Sequence, residues 1–228
     1  MKMVYLGVLG IVLAVGAQGA SITIANAGFE DNVLPVLNIC GPGCDFKKGV
    51  MSGWSILPTS ASDAGTFRPG PPATTTFFDS VPEGVNIGYA QFGAALSQTV
   101  GVTAVAGLTY TLQVDLGYRK DLLSFASGTG TIELEIGTTR VLATGTAPAP
   151  GGWSMYTAVY TAVAGDTGKA ISIYLGSTPN QMGNFDNVRL NSAGTPLGET
   201  NPVPEPAGLG IAGLAGLVLA GRYLRRRG

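Results

Sequence analysis

The chain has 228 residues, with 13 basic and 14 acidic side chains, 35 glycines, 14 prolines and no histidine. Glycine and proline are the poorest helix formers, so this mixture excludes a helical bundle, and the missing imidazole excludes Ser-His-Asp triads, histidine general bases and histidine metal sites. Five of the basic residues, Lys2, Arg222, Arg225, Arg226 and Arg227, stand at the two ends; that leaves eight against the acidic residues, an acidic body that repels phosphate backbones and has no use for nucleic acid.

Met1-Lys2-Met3 is a short basic start, Val4 to Ala17 is an uncharged and mostly apolar run, and Ala17-Gln18-Gly19-Ala20 is a stretch of small residues. This three-part order predicts a secretory signal peptide over 1–20, cleaved after Ala17, Gly19 or Ala20. Its apolar run is short for a membrane span.

The body, 21–192, is predicted to be an antiparallel β-sandwich. Short strands are expected over 21–25, 86–92 and 96–100. In Thr109 to Tyr118 every apolar residue falls at an even position, the pattern of a half-buried strand. Thr131 to Ile136 and Ala170 to Leu175 alternate in the same way. Trp153 to Val163 is rich in aromatic and β-branched residues. Shorter candidates lie at 140–144 and 185–190. Gly-rich or Pro-rich links separate most of these segments, and no helical period of useful length runs between the chain ends. Residues 31–85, with Pro69-Gly70-Pro71-Pro72, read as long loops over one end of the sandwich.

Cys40 and Cys44 enclose Gly41-Pro42-Gly43, and export predicts a disulfide between them. Glu133 and Glu135 share a face of their strand opposite Ile132, Leu134 and Ile136, so they are expected to be solvated charges and not a glycosidase pair. Trp54, Tyr118 and Tyr156 are the aromatic candidates for stacking a sugar ring, with Asp115 a weaker polar candidate. Trp153 alternates with Met155 and Val159 and is expected in the core.

Two landmarks carry a resemblance. Asn26-Ala27-Gly28-Phe29-Glu30 opens the body, and Asn184-Phe185-Asp186-Asn187-Val188-Arg189-Leu190 closes it. Together they resemble the galactose-binding-like jelly rolls found in many carbohydrate-binding modules. The resemblance implies a jelly roll and a polysaccharide ligand. It also implies a structural Ca²⁺ held by Glu30 and Asp186 with backbone carbonyls, since first and last strands of a sandwich run side by side. No other cofactor is required.

After a linker at 193–202, Val203-Pro204-Glu205-Pro206 is followed by an uncharged segment, Ala207 to Gly221, and then by an Arg-rich end. Fifteen helical residues span about 22 Å, short of a bilayer core of about 30 Å. This order resembles the PEP-CTERM sorting signal of Gram-negative bacteria. That resemblance implies signal peptidase and an exosortase as processing partners, a short transmembrane helix stopped by Arg222, Arg225, Arg226 and Arg227, an inner-membrane intermediate, and a final place at the cell surface or in biofilm matrix. The expectation drawn from the whole chain is an exported, non-catalytic β-sandwich that binds polysaccharide. The alternatives are a surface interaction module without sugar affinity, or a carboxylate-dependent glycan-cleaving enzyme.

Overall fold

The computed structural model describes residues 19–58, 63–71, 77–122, 126–127 and 129–198. The predicted leader and the predicted sorting tail, from Val203 through Arg227, therefore lie outside the described residues. Among the described residues no helix is long and apolar enough to cross a membrane.

Among the described residues thirteen strands form two sheets. They are β1 (Ala20–Ile22), β2 (Asp45–Lys48), β3 (Ser55–Leu57), β4 (Ala64–Arg68), β5 (Ile87–Gln91), β6 (Ala95–Thr103), β7 (Leu108–Gly117), β8 (Ala126–Ser127), β9 (Thr131–Ile136), β10 (Thr139–Leu142), β11 (Trp153–Thr161), β12 (Ala170–Gly176) and β13 (Gln181–Gly194). The larger sheet runs β11-β7-β13-β5-β4-β2, with β1 and β8 also on β13; the smaller runs β10-β9-β12-β6-β3. Among the described residues every strand pairing is antiparallel except the two-residue contact of β8 with β13. The expected β-sandwich is what the chain forms.

Side-chain alternation builds the core. The even residues of β7, Tyr110, Leu112, Val114 and Leu116, face Ile132, Leu134 and Ile136 of β9 and Ile171, Ile173 and Leu175 of β12 across the sandwich. Fully burying each such side chain is worth about 1.5–3 kcal/mol. Glu133 and Glu135 lie on the far face of β9, where Arg140 of β10 pairs with both. The first and last strands meet as expected, with Ala20 opposite Ser192 and Ile22 opposite Leu190.

The segment 31–85 departs from the expectation of loops. It contributes β2, β3 and β4, of which β4 and β2 extend the larger sheet past β5. These strands are three to five residues long and carry Gly65 and Arg68 among their apolar residues, so no period-two stretch was long enough to mark them. Cys40 and Cys44 form the predicted disulfide, their Cα atoms 5.2 Å apart.

Candidate functional site

The larger sheet buries both of its faces around β5. Gly88 and Ala90 turn toward the sandwich core, where the ring of Phe29 fills the space above Gly88. Ile87 and Tyr89 turn outward into a second apolar cluster with Cys44, Phe67 and Phe78, flanked by Cys40, Phe46, Phe77, Val81 and Trp153. Directly opposed residues of antiparallel strands share a face. The register therefore places Phe46, Phe67, Ile87, Tyr89, Met182, Asn184, Asp186, Asp115 and Trp153 on this outer face.

A cleft of about 200 Å³ opens there, lined by Cys40, Phe46, Lys48, Phe67, Tyr89, Gln91, Arg119 and Met182. Its walls are held from several directions. The Arg119 guanidinium lies 4.9 Å from the centre of the Phe67 ring and 4.6 Å from that of Phe77, and it is fixed by Asp121 at 2.7 Å. Phe67 and Phe77 meet edge to face at 5.3 Å. The loop bearing the disulfide is tied down by Asp45, whose carboxylate accepts from Leu37 N at 3.1 Å and pairs with Arg68 at 2.6 Å. Burial opposes the charge on Asp45, but Arg68 and the N–H groups of Ile39 and Leu37 outweigh it and hold the carboxyl below its ordinary range.

Trp153 is not in the main core. It stands on the outer face opposite Gly117, stacked on Phe78 at 4.7 Å, and its indole N–H donates to the Ser80 carbonyl at 2.8 Å. Gly117 makes this possible, since a Cβ there would come within 2.7 Å of the Trp153 ring. Tyr156, three residues from Trp153 and so of opposite parity, packs instead against the main core. Trp54 is buried in that core beside Phe29, 5.5 Å between ring centres, and donates to the Asn26 carbonyl. Tyr118 is half-buried just past β7, its backbone bonded to Gly151 and Gly152. Trp54 and Tyr156 thus pack with the main core and Tyr118 lies past β7, and none of the three predicted sugar-stacking residues lines the cleft. The cleft residues Phe46, Phe67, Tyr89, Arg119 and Met182 were not singled out as a site; the available signal was the uncharged run Ile87-Gly88-Tyr89-Ala90, which suits a strand covered on both faces.

Glu30 and Asp186 do converge. Phe29 has φ +62°, rare for a bulky side chain, and is held by its buried ring and by its N–H to Asn26 O at 3.1 Å. That turn delivers Glu30 to the loop before β5, where Oε1 accepts from Val85 N at 2.8 Å and Asn86 N at 2.7 Å. Asp186 accepts from Glu83 N at 2.9 Å and Asn187 N at 2.7 Å. A bulge in β13 after Asp186 sets Asn187 at φ +52°, and its side-chain amide donates to Asp115 at 3.0 Å. Burial pushes the Asp186 carboxyl up to about 7; the two N–H donors oppose this, and the nearby charges of Glu83 and Asp115 add to it. Among the described residues no group of three or more His, Cys, Asp or Glu side chains stands ready for a metal ion.

A two-sheet antiparallel arrangement with an aromatic cleft on one outer face makes this an all-β sandwich protein. The sequence pattern of the HpiC1 cyclase family matches residues 20–191, and the chain belongs to this HpiC1-like family. The Stig cyclase Fisc from Fischerella sp. TAU, solved with (3Z)-3-(1-methyl-2-pyrrolidinylidene)-3H-indole, is similar at 24% identity and TM-score 0.61, over 78% of this chain and 100% of that one. An apo cyclase from Fischerella sp. is similar at 24% identity and TM-score 0.62, over 80% of this chain and 98% of that one. The carbohydrate-binding module TmCBM61, solved with β-1,4-galactotriose, aligns at 13% identity and TM-score 0.39, over 72% and 94% of the two chains. Comparison with curated protein sequences finds no match.

The family assignment corrects the expectation of a non-catalytic polysaccharide binder with a matrix role: the family is one of enzymes. The reason for the error is chemical. Absence of histidine and of nucleophile motifs argues against hydrolytic machinery but does not bear on enzymes of other reaction classes.

Proposed function

We propose that the chain is a cyclase that folds an apolar, unsaturated small molecule in the outer-face cleft. The observation that carries this reading is the aromatic wall formed by Phe46, Phe67 and Tyr89 around a cavity of about 200 Å³. Arg119 lies over the rings of Phe67, which lines the cleft, and Phe77 beside it, the kind of contact an aromatic face makes with positive charge. Rings so placed favour positive charge developing on a substrate as bonds rearrange. The indole held by Fisc makes alkenyl indoles the first substrates to try. Cyclisation by rearrangement keeps every atom, so the test is to incubate the full chain with such compounds and look by chromatography and mass spectrometry for products of unchanged mass and altered retention. Conversion that is lost in Phe67→Ala supports the reading; no conversion across alkenyl indoles and isoprenoid alkenes overturns it.

A structural calcium belongs to the same proposal. Asp186 is fully buried and the charges of Glu83 and Asp115 act on it, which is the setting a divalent ion relieves. Glu30 and Asp186, joined by backbone carbonyls, would hold it. Bound there, the ion would supply charge neutralisation and a brace for the loop at 83–86.

Export is proposed on the two chain ends, including the sorting reading of Val203 to Pro206, and the disulfide of Cys40 with Cys44 suits an oxidising compartment. The termini of the mature protein, determined by mass spectrometry, test it: a mature chain retaining Met1 overturns export.

A further inference from the structure

Two side chains on the cleft face are buried without a hydrogen-bond partner. Asn184 is 0% exposed, and both its amide oxygen and its amide nitrogen are unpaired; Tyr89 is 5% exposed with its hydroxyl unpaired. Buried polar atoms are nearly always satisfied, so three orphan atoms at one spot require an explanation. The two residues face each other directly, Asn184 of β13 opposite Tyr89 of β5. On its other side Asn184 faces Gly117, over which the rings of Trp153 and Phe78 pack. Tyr89 and Met182 line the cleft, and Asn184 follows Met182 on the same face of β13.

We propose that Asn184 and Tyr89 form a neutral polar anchor that selects substrates bearing adjacent hydrogen-bond donor and acceptor atoms on a planar apolar body. An amide offers one donor and one acceptor side by side, so its complement is a group with the same pair reversed, such as a lactam or an amidine-like heteroaromatic edge. The phenol supplies a third contact of either polarity. Burial pushes the Tyr89 hydroxyl well above its ordinary range, so it acts as an uncharged group throughout the physiological range. This inference rests on the reading of the cleft as the substrate site.

The test uses three probes of one shape: 2-quinolone, which carries the lactam pair; N-methyl-2-quinolone, which lacks the donor; and naphthalene, which lacks both. Affinities for the full chain are measured by NMR titration. The wild type should prefer 2-quinolone over the other two by about tenfold or more, the scale of one good hydrogen bond. Asn184→Leu and, separately, Tyr89→Phe should bring 2-quinolone down toward the others and leave naphthalene unchanged. The ligand-free Asn184→Leu protein should also melt higher than wild type, because an orphan amide is removed; an amide with a structural role would lower the melting temperature instead. Equal binding of the three probes to wild type, or discrimination that survives both substitutions, overturns the anchor alone. Failure of the wild type to bind any of them, with Phe67→Ala indistinguishable from it, overturns the cleft itself.

Discussion

Trp153 stacks on Phe78 at 4.7 Å with 29° between the ring planes, across a gap that exists only because residue 117 is glycine. The pair closes one end of the outer-face cluster, so the shape of that face depends on three residues from three separate segments.

Gly117→Ala should destabilise the protein by about 1–3 kcal/mol, because the new methyl group would overlap the rings of Trp153 and Phe78. Trp153→Ala should cost about 3 kcal/mol through the lost packing. Urea denaturation followed by far-UV circular dichroism measures both. A neutral Gly117→Ala would mean the stacked pair is free to shift.

Calcium should raise the melting temperature of the full chain, and EDTA should lower it. An ion present at a hundred times its Kd contributes about 2.7 kcal/mol, or roughly 5–10 °C for a domain of this size. Glu30→Gln should abolish the response. A melting curve indifferent to both calcium and EDTA would remove the metal from this account.

Asp166 gives the fold an acid limit of its own. Tyr160 donates to it at 2.7 Å, Val163 N at 3.0 Å and Lys169 at 3.0 Å, and together they hold its carboxyl at about 2. A carboxyl depressed in the folded state favours folding above its unfolded value of about 3.9 and loses that contribution as pH falls toward 2. Melting temperature should therefore drop between pH 4 and pH 2, and Asp166→Asn should show a lower plateau and a shallower drop. An unchanged acid slope in that variant would place the effect elsewhere.

Asp45→Asn should loosen the cleft rim without disturbing the sandwich. It removes the pairing with Arg68 at 2.6 Å and weakens the acceptors for Leu37 and Ile39 on the loop that carries Cys40. Limited proteolysis should then cut within 33–44 while β6, β7, β9 and β12 stay protected from hydrogen exchange. Protection of the loop equal to wild type would show that the disulfide alone holds it.

Much of this molecule is legible in one dimension. Alternation in β7, β9 and β12 marks strands because side-chain direction in a strand repeats every two residues, and the same rule separates Glu133 and Glu135 from the core. The spacing of Cys40 and Cys44 and the meeting of the Glu30 and Asp186 segments could be read as well. Trp153 was misplaced by that rule, since its strand has two apolar faces and alternation alone does not say which one meets the sandwich core. Tyr89 and Asn184 were invisible as a pair, because their relation is a register between β5 and β13, 95 residues apart in the numbering.

Sequence by itself determined the fold class and the disulfide, since each follows from local pattern or composition. Tertiary structure decided the cleft. Its walls come from the disulfide loop, β2, β4, β5, β13 and the segment after β7, and only strand pairing sets which of their side chains face one another. Two residues opposite each other in a sheet share a face whatever their distance along the chain, and that physical fact lies outside any local reading of the sequence.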